Sequence, residues 1–171
     1  MGYRRAEEKD IERLMAIVDD AREYMGECGF VQWTEEYPRR EHIFEDIIKE
    51  ECYVWEEEGD VLGMMTICLG GEPLYDAGEV AWNTKKPYGA IHRLAVAKEA
   101  RGKGIAGKLF EAGEEFCFKN HCKGIRIDTY RENYTMRNFL KKNQYEQCGV
   151  VYYMEDGKDS ERLTYDKILN C

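Results

Sequence analysis

Residues 90–110 read AIHRLAVAKEARGKGIAGKLF, and this stretch decides the architecture. Over 90–97 the chain alternates: His92, Leu94 and Val96 fall on one face and Ile91, Arg93 and Ala95 on the other, the two-residue period of a strand. From Lys103 to His121, Ile105, Leu109 and Phe116, with Ala106, Phe110, Gly113 and Cys117 beside them, stack along one side of a predicted helix. Between them runs a basic, glycine-rich loop. The backbone N–H groups that open a helix have no intrahelical acceptor, and glycines let an anion approach them closely. Strand, loop and helix together therefore predict a phosphate-binding turn.

Three patterns compete for that turn. Gly102, Gly107 and Lys108 fit a P-loop until its last position, where Leu109 offers no hydroxyl to a magnesium ion. Gly102, Gly104 and Gly107 match the dinucleotide fingerprint literally, with Asp128 on a later strand. That fingerprint opens the first turn of a two-half parallel sheet, however, and only 64 residues follow Gly107. The residues Lys98 to Arg101 also intervene after the strand. The third pattern, Arg-x-x-Gly-x-Gly/Ala, is met by Arg101, Gly104 and Ala106 after the apolar strand end Leu94-Ala95-Val96.

Outward from this segment, residues 10–25 place Ile11, Leu14, Met15, Val18, Ala21 and Met25 at helical spacing behind Asp10 as N-cap. GFVQWTEEYP (29–38) is irregular, and a second helix over about 40–50 runs through Ile43, Phe44, Ile47 and Ile48. CYVWEEEGDVLGMMTICL (52–69) predicts a hairpin turning at Glu58-Gly59-Asp60. A loop over about 70–88 follows. Beyond the central helix come a strand at GIRIDTY (124–130), a short helix from Asn133 to Lys142 carrying Met136, Phe139 and Leu140, and strands at VVYYM and ERLTYDKIL. The order predicts a mixed α/β (α+β) fold.

The whole chain, 171 residues with 34 acidic and 25 basic side chains, suits one domain with its own core. Its net charge of −9 excludes general affinity for nucleic acid or an anionic membrane surface. The acidity is local: residues 41–60 hold nine carboxylates against Lys49, whereas 98–108 carry Lys98, Arg101, Lys103 and Lys108 against Glu99. No apolar run reaches membrane length, and MGYRRAEEKD shows no secretory pattern. Seven cysteines, odd in number and without a Cys-x-x-Cys pair, read as reduced thiols, so the expected compartment is cytoplasmic. Cys117 and His121, one helical turn apart, could form half a metal site; a core thiol and an exposed histidine is the simpler reading, and no metal is expected.

In order and spacing, HRLAV, RGKGIA, IRIDT and the Asn133 that opens the next helix resemble the GCN5-related N-acetyltransferase (GNAT) superfamily, most clearly over 90–149. The resemblance implies a single GNAT-like domain over 1–171, with a mixed, mostly antiparallel central sheet flanked by helices. It implies acetyl-CoA as co-substrate. The backbone of Leu94, Ala95 and Val96 would pair with the pantetheine arm, Arg101, Gly102, Lys103, Gly104, Ile105 and Ala106 would cradle the pyrophosphate, and Asn133 would lie near the arm.

The implied reaction is direct transfer of the acetyl group to a primary amine, small molecule or peptide. It needs a base, an N–H for the oxyanion and an acid for the thiolate. An N–H near Leu94 or Ala95 suits the oxyanion. Relatives often supply the acid as a tyrosine in Asn-x-x-Ala-x-x-Leu-Tyr-x-x-x-Gly-Phe. Here NYTMRNFLKKNQY puts Leu140 at the tyrosine, Gln144 at the glycine and Tyr145 at the phenylalanine, leaving Tyr134 and then Tyr130 as substitutes. Glu79 is the first choice of base and His92 the second. Trp33 and Tyr37 could wall the acceptor pocket. The missing tyrosine motivates an alternative, a non-catalytic acyl-CoA-binding or regulatory module. The oligomeric state stays open, a homodimer among the alternatives.

Overall fold

The computed structural model describes residues 2–155 and 157–170; Cys171, one of the seven cysteines, lies outside them. Seven strands form one mixed sheet with helices beside it: β1 (Gly2–Arg5), β2 (Cys52–Glu57), β3 (Asp60–Cys68), β4 (Tyr88–Val96), β5 (Gly124–Thr129), β6 (Glu146–Glu155) and β7 (Lys158–Ile168). Their order is β1-β2-β3-β4-β5-β7-β6. β1/β2, β2/β3, β5/β7 and β6/β7 are antiparallel, and β4/β5 is parallel. The helices are α1 (Ile11–Glu27), α2 (Arg40–Ile48), α3 (Pro73–Ala77), α4 (Ile105–Lys119) and α5 (Tyr134–Lys142). The chain packs as two compact units, one of Met1–Ile67 with His92–Gly113, the other of Cys68–Ile91 with Glu114–Cys171.

In the first unit the hairpin turns where its residues predict it. Glu58 (φ 54°) and Gly59 (φ 88°) both take left-handed backbone, the requirement of a two-residue primed turn. β1 has no counterpart among the expected elements, being too short to show a period. It is held on β2 through Arg4, which donates to both Asp10 oxygens and to Glu56. α4 lies tight on β3 at Gly63. A Cβ there would stand 2.9 Å from Ile105 Cγ2 and 3.1 Å from Leu109 Cδ1.

α2 departs from its apolar pattern. Ile43 and Ile47 are buried, but Phe44 and Ile48 are exposed, and the third inward position belongs to Asp46. A charge at the core side of a helix requires a partner, and Arg93 of β4 supplies it.

In the second unit β5 pairs with β7 from Gly124↔Ile168 to Thr129↔Leu163. Tyr75, Tyr88, Ala90 and Val151 form its apolar cluster, with Trp82 and Tyr153 packed alongside. The segment expected as a plain loop contains α3, which Pro73 starts and the Glu72 side chain caps by accepting the Leu74 N–H. Five residues are too few for periodicity to reveal. The connection after α3 is clamped: Asp166 accepts from Asn83 and from the Thr84 backbone and hydroxyl, and Arg126 lies between the Trp82 and Tyr88 rings.

Candidate active site

The turn between β4 and α4 has the form its sequence predicts. Lys98–Ala100 make one 3-10 turn, Gly102 and Gly104 follow at φ 76° and 77°, and α4 begins at Ile105. A side chain would be strained at both glycines, and a Cβ at Gly102, Gly104 or Gly107 would meet nothing within 4 Å. Bare backbone therefore borders open space where helix N–H groups lack acceptors.

The basic side chains do something different from what their charge suggests. Lys98 pairs with Glu23 at 3.0 Å and its N–H donates to the Asp20 carboxylate. Arg101 donates to the Asp20 carbonyl and lies over the Tyr24 ring. Lys108 pairs with Glu57 at 2.8 Å. These three fasten the turn to α1 and β2. Lys103 is exposed and makes no ion pair among the described residues. The groups that this turn leaves open are the backbone at its glycines and Lys103. The acidic stretch 41–60 is likewise engaged at Asp46, Glu50, Glu56 and Glu57.

β4 has two features that its alternating sequence hides. Its parallel register with β5 covers Tyr88–Ala90 and goes no further. At Arg93 the backbone turns left-handed, φ 50°, which costs on the order of 1–3 kcal/mol for a non-glycine residue and persists only where the surroundings impose it. Arg93 Nε and Nη2 donate to the two Asp46 oxygens at 2.6 and 2.7 Å, Nη1 donates to Tyr37 Oη at 2.6 Å, and Thr66 adds a hydroxyl bond to Asp46. The Arg93 side chain is 15% exposed and that of Asp46 6%. Although burial disfavours its charge, the Asp46 carboxylate holds Arg93 firmly protonated.

The other expected residues are distributed as follows. Burial, reinforced by the Arg93 charge and opposed by that of Asp46, takes His92 from 6.5 down to about 4, so it is neutral at pH 7 and a weak proton acceptor. Trp33 is buried and presents little surface, whereas Tyr37 is exposed and reaches Arg93. Glu79 is exposed in the loop after α3. Asn133 caps α5, its side chain accepting the Met136 N–H at 3.1 Å. Tyr134 is exposed with Arg137 over its ring. Tyr130 donates to Glu155, Leu140 is wholly buried, and Tyr145 is buried with its hydroxyl on Glu114. Gln144 stands at φ 68°, which accounts for glycine in the pattern at that position. Among the described residues no group of three or more His, Cys, Asp or Glu could hold a metal, and no helix is long and apolar enough to cross a membrane.

A family model described as "Acetyltransferase (GNAT) family" matches residues 6–145. The chain belongs to the GNAT acetyltransferase family. Its GNAT relatives include the uncharacterized N-acetyltransferase YhfO of Bacillus subtilis strain 168, 24% identical over 155 residues, 90% of this chain and 95% of that one. A GNAT-family acetyltransferase crystal structure from Streptococcus agalactiae 2603 superimposes with a TM-score of 0.86 at 31% identity, covering 99% of this chain and 95% of that one. PaiA N-acetyltransferase of Thermoplasma acidophilum, crystallised with coenzyme A, shares the GNAT fold at TM-score 0.72 and 15% identity, covering 97% of each chain.

Sequence reasoning did not single out the buried pair Arg93 and Asp46 in the first unit, nor the buried carboxylate of Asp128 in the second. One signal could have found two of them. An ionisable residue inside an otherwise apolar strand, as in HRLAV and IRIDT, must be paired when buried.

Proposed function

We propose that this chain moves the acetyl group of acetyl-CoA directly onto a primary amine. The observation that carries the reading is the start of α4, where left-handed Gly102 and Gly104, together with Gly107, put bare backbone against open space. That cradle suits a pyrophosphate, and the β4 segment after Ala90, without a β5 register partner, suits an amide-bearing arm lying beside it as an added strand. Gly102, Gly104, Ile105 and Ala106 would hold the pyrophosphate through N–H groups, Lys103 through its ammonium, and Leu94, Ala95 and Val96 the arm. Arg101 holds the loop in shape. The coenzyme A bound to the PaiA neighbour supports the same ligand here.

Bound acetyl-CoA supplies an activated thioester carbonyl. The chain orients the amine, takes up its proton and offers an N–H to the developing oxyanion. Left-handed Arg93 re-aims the peptide that follows it, which favours the Leu94 or Ala95 N–H as that donor. Glu79 is the proposed proton acceptor, with neutral His92 second, and Tyr134 the proposed proton donor. The acceptor is a small-molecule or peptide amine and the compartment the cytoplasm, a choice supported by the free thiols of the six described cysteines.

Saturating acetyl-CoA tests the reading. At about 100 times its dissociation constant a ligand adds roughly 2.7 kcal/mol of stability, so the unfolding temperature rises; an unchanged temperature overturns the loop assignment. Leu140, sealed in the core where relatives carry the tyrosine, favours the second reading, a binding module without turnover. Thiol release with any member of a panel of amines excludes that module.

A further inference from the structure

Asp128 lies near the end of β5 with its side chain 9% exposed. Its Oδ2 accepts two phenol hydrogen bonds, from Tyr75 of α3 at 2.5 Å and from Tyr153 of β6 at 2.9 Å. Among the described residues Oδ1 accepts no hydrogen bond, and it forms an ion pair with Arg162 Nε of β7 at 3.7 Å.

Arg162 pairs with Asp128 only at 3.7 Å, and it is shared with a second carboxylate. It donates to Glu155 and to Ser160 Oγ, and its guanidinium stacks 4.0 Å from the Tyr130 ring centroid. Tyr130 closes the arrangement by donating to Glu155 at 3.0 Å. The cluster thus holds Asp128 and Glu155 against one arginine, with neutral phenols for the rest, and the charge of Glu72 also bears on Asp128. Burial pushes the Asp128 pKa up, against the phenols and Arg162. A buried carboxylate that accepts no hydrogen bond at one oxygen among the described residues, and shares its cation with a second carboxylate, is completed by a cation that brings an N–H.

We propose that Oδ1 of Asp128 is the docking point for the alkylammonium group of the acceptor. The word acceptor rests on the acetyl-transfer reading; the ammonium site rests on this cluster alone. The ligand class is a primary ammonium on an alkyl chain. A neutral alcohol of the same shape adds no positive charge to a cluster of two carboxylates and one arginine and binds far more weakly.

The test uses the full chain with isotope-labelled tyrosine rings, titrated at constant ionic strength with propylammonium chloride and, separately, with propanol. The Tyr75 and Tyr153 resonances shift saturably with propylammonium and not with propanol. Asp128→Asn weakens propylammonium binding by about tenfold or more, the effect of losing one hydrogen bond to a charged group. Absence of a saturable shift in the unmodified chain, or equal affinity in Asp128→Asn, overturns the proposal. Tyr153→Phe keeps the carboxylate and removes one donor, so it must retain binding even if Asp128→Asn fails to fold; loss of binding in a folded Tyr153→Phe chain also overturns it. Heat stabilisation by acetyl-CoA on the same samples separates the two readings. Its absence sinks acetyl transfer and leaves the titration to decide the ammonium site.

Discussion

Each unit buries a charged network on a strand of the sheet, and the two are built in opposite ways. In the first, Arg93 and Asp46 meet in a two-bond fork, and both charges are cancelled where they stand. In the second, Asp128 is held at one oxygen by neutral phenols, and its arginine, 3.7 Å from the other, is shared with Glu155. Cancelled charge fixes geometry, here a left-handed residue in β4. A carboxylate that shares its cation leaves room for the ammonium ligand proposed at Asp128. The difference separates scaffold from chemistry more sharply than burial does, because both carboxylates are close to fully buried.

The comparison breaks most visibly at Asp46. Asp46→Ala leaves Arg93 buried without its fork, and the expected loss is about 3–5 kcal/mol in urea unfolding. Asp46→Leu combined with Arg93→Met removes both charges and loses clearly less, since a buried pair replaced by apolar residues is often nearly neutral. If the double variant is as unstable as the single one, the fork stabilises through more than matched charge.

His92 sharpens the same comparison, because it shares the Arg93 surroundings and is kept from protonating. Its pKa is about 4 in the folded chain against 6.5 unperturbed, so the unfolded chain binds the proton first on acidification. Stability from this source is complete above about pH 6.5, declines as pH falls and levels off below about 4, a loss of roughly 3 kcal/mol. His92→Gln flattens that portion of the stability profile. A variant with an unchanged slope between those pH values assigns the slope to other groups.

Much of the fold was legible where periodicity runs long enough. The α1 face, the hairpin turn, the β4–α4 junction and the Asn133 cap all follow from spacing and turn chemistry. β1 and α3 were not legible, since a four-residue strand and a five-residue helix stand on distant partners rather than on a pattern of their own. The α2 face misled for a related reason: Phe44 and Ile48 satisfy the apolar period, but Asp46 takes the inward place that Arg93 requires. At the site, the glycines of the turn could be read from sequence because backbone chemistry needs them. The side chains were harder, since Lys98, Arg101 and Lys108 look like anion ligands in sequence and are fasteners in space.

Gly107 puts the turn itself at risk in a way that separates stability from binding. Within α4 it has no strained backbone, and a Cβ there meets nothing within 4 Å. Gly107→Ala should therefore stabilise the free chain by up to about 1 kcal/mol through helix propensity. The new methyl group would stand where the proposed cradle admits a phosphate, so the stabilisation conferred by acetyl-CoA should fall. A variant that gains stability and keeps the full acetyl-CoA shift moves the anion away from Gly107.

The smallest effect compares two left-handed residues that differ only in what holds them. Gln144 (φ 68°) is exposed and Arg93 (φ 50°) is forked onto Asp46. Gln144→Gly removes the steric cost of left-handed backbone and loses no buried bond, so thermal unfolding should show a gain of roughly 0.5–1 kcal/mol. Arg93→Gly relieves the same strain but strands Asp46, and it should destabilise despite the relief. If both substitutions stabilise, the left-handed turn in β4 is a local accident that Arg93 merely tolerates. If they diverge in sign, the fork imposes the turn, and the N–H groups that follow it owe their direction to a charge pair anchored on α2.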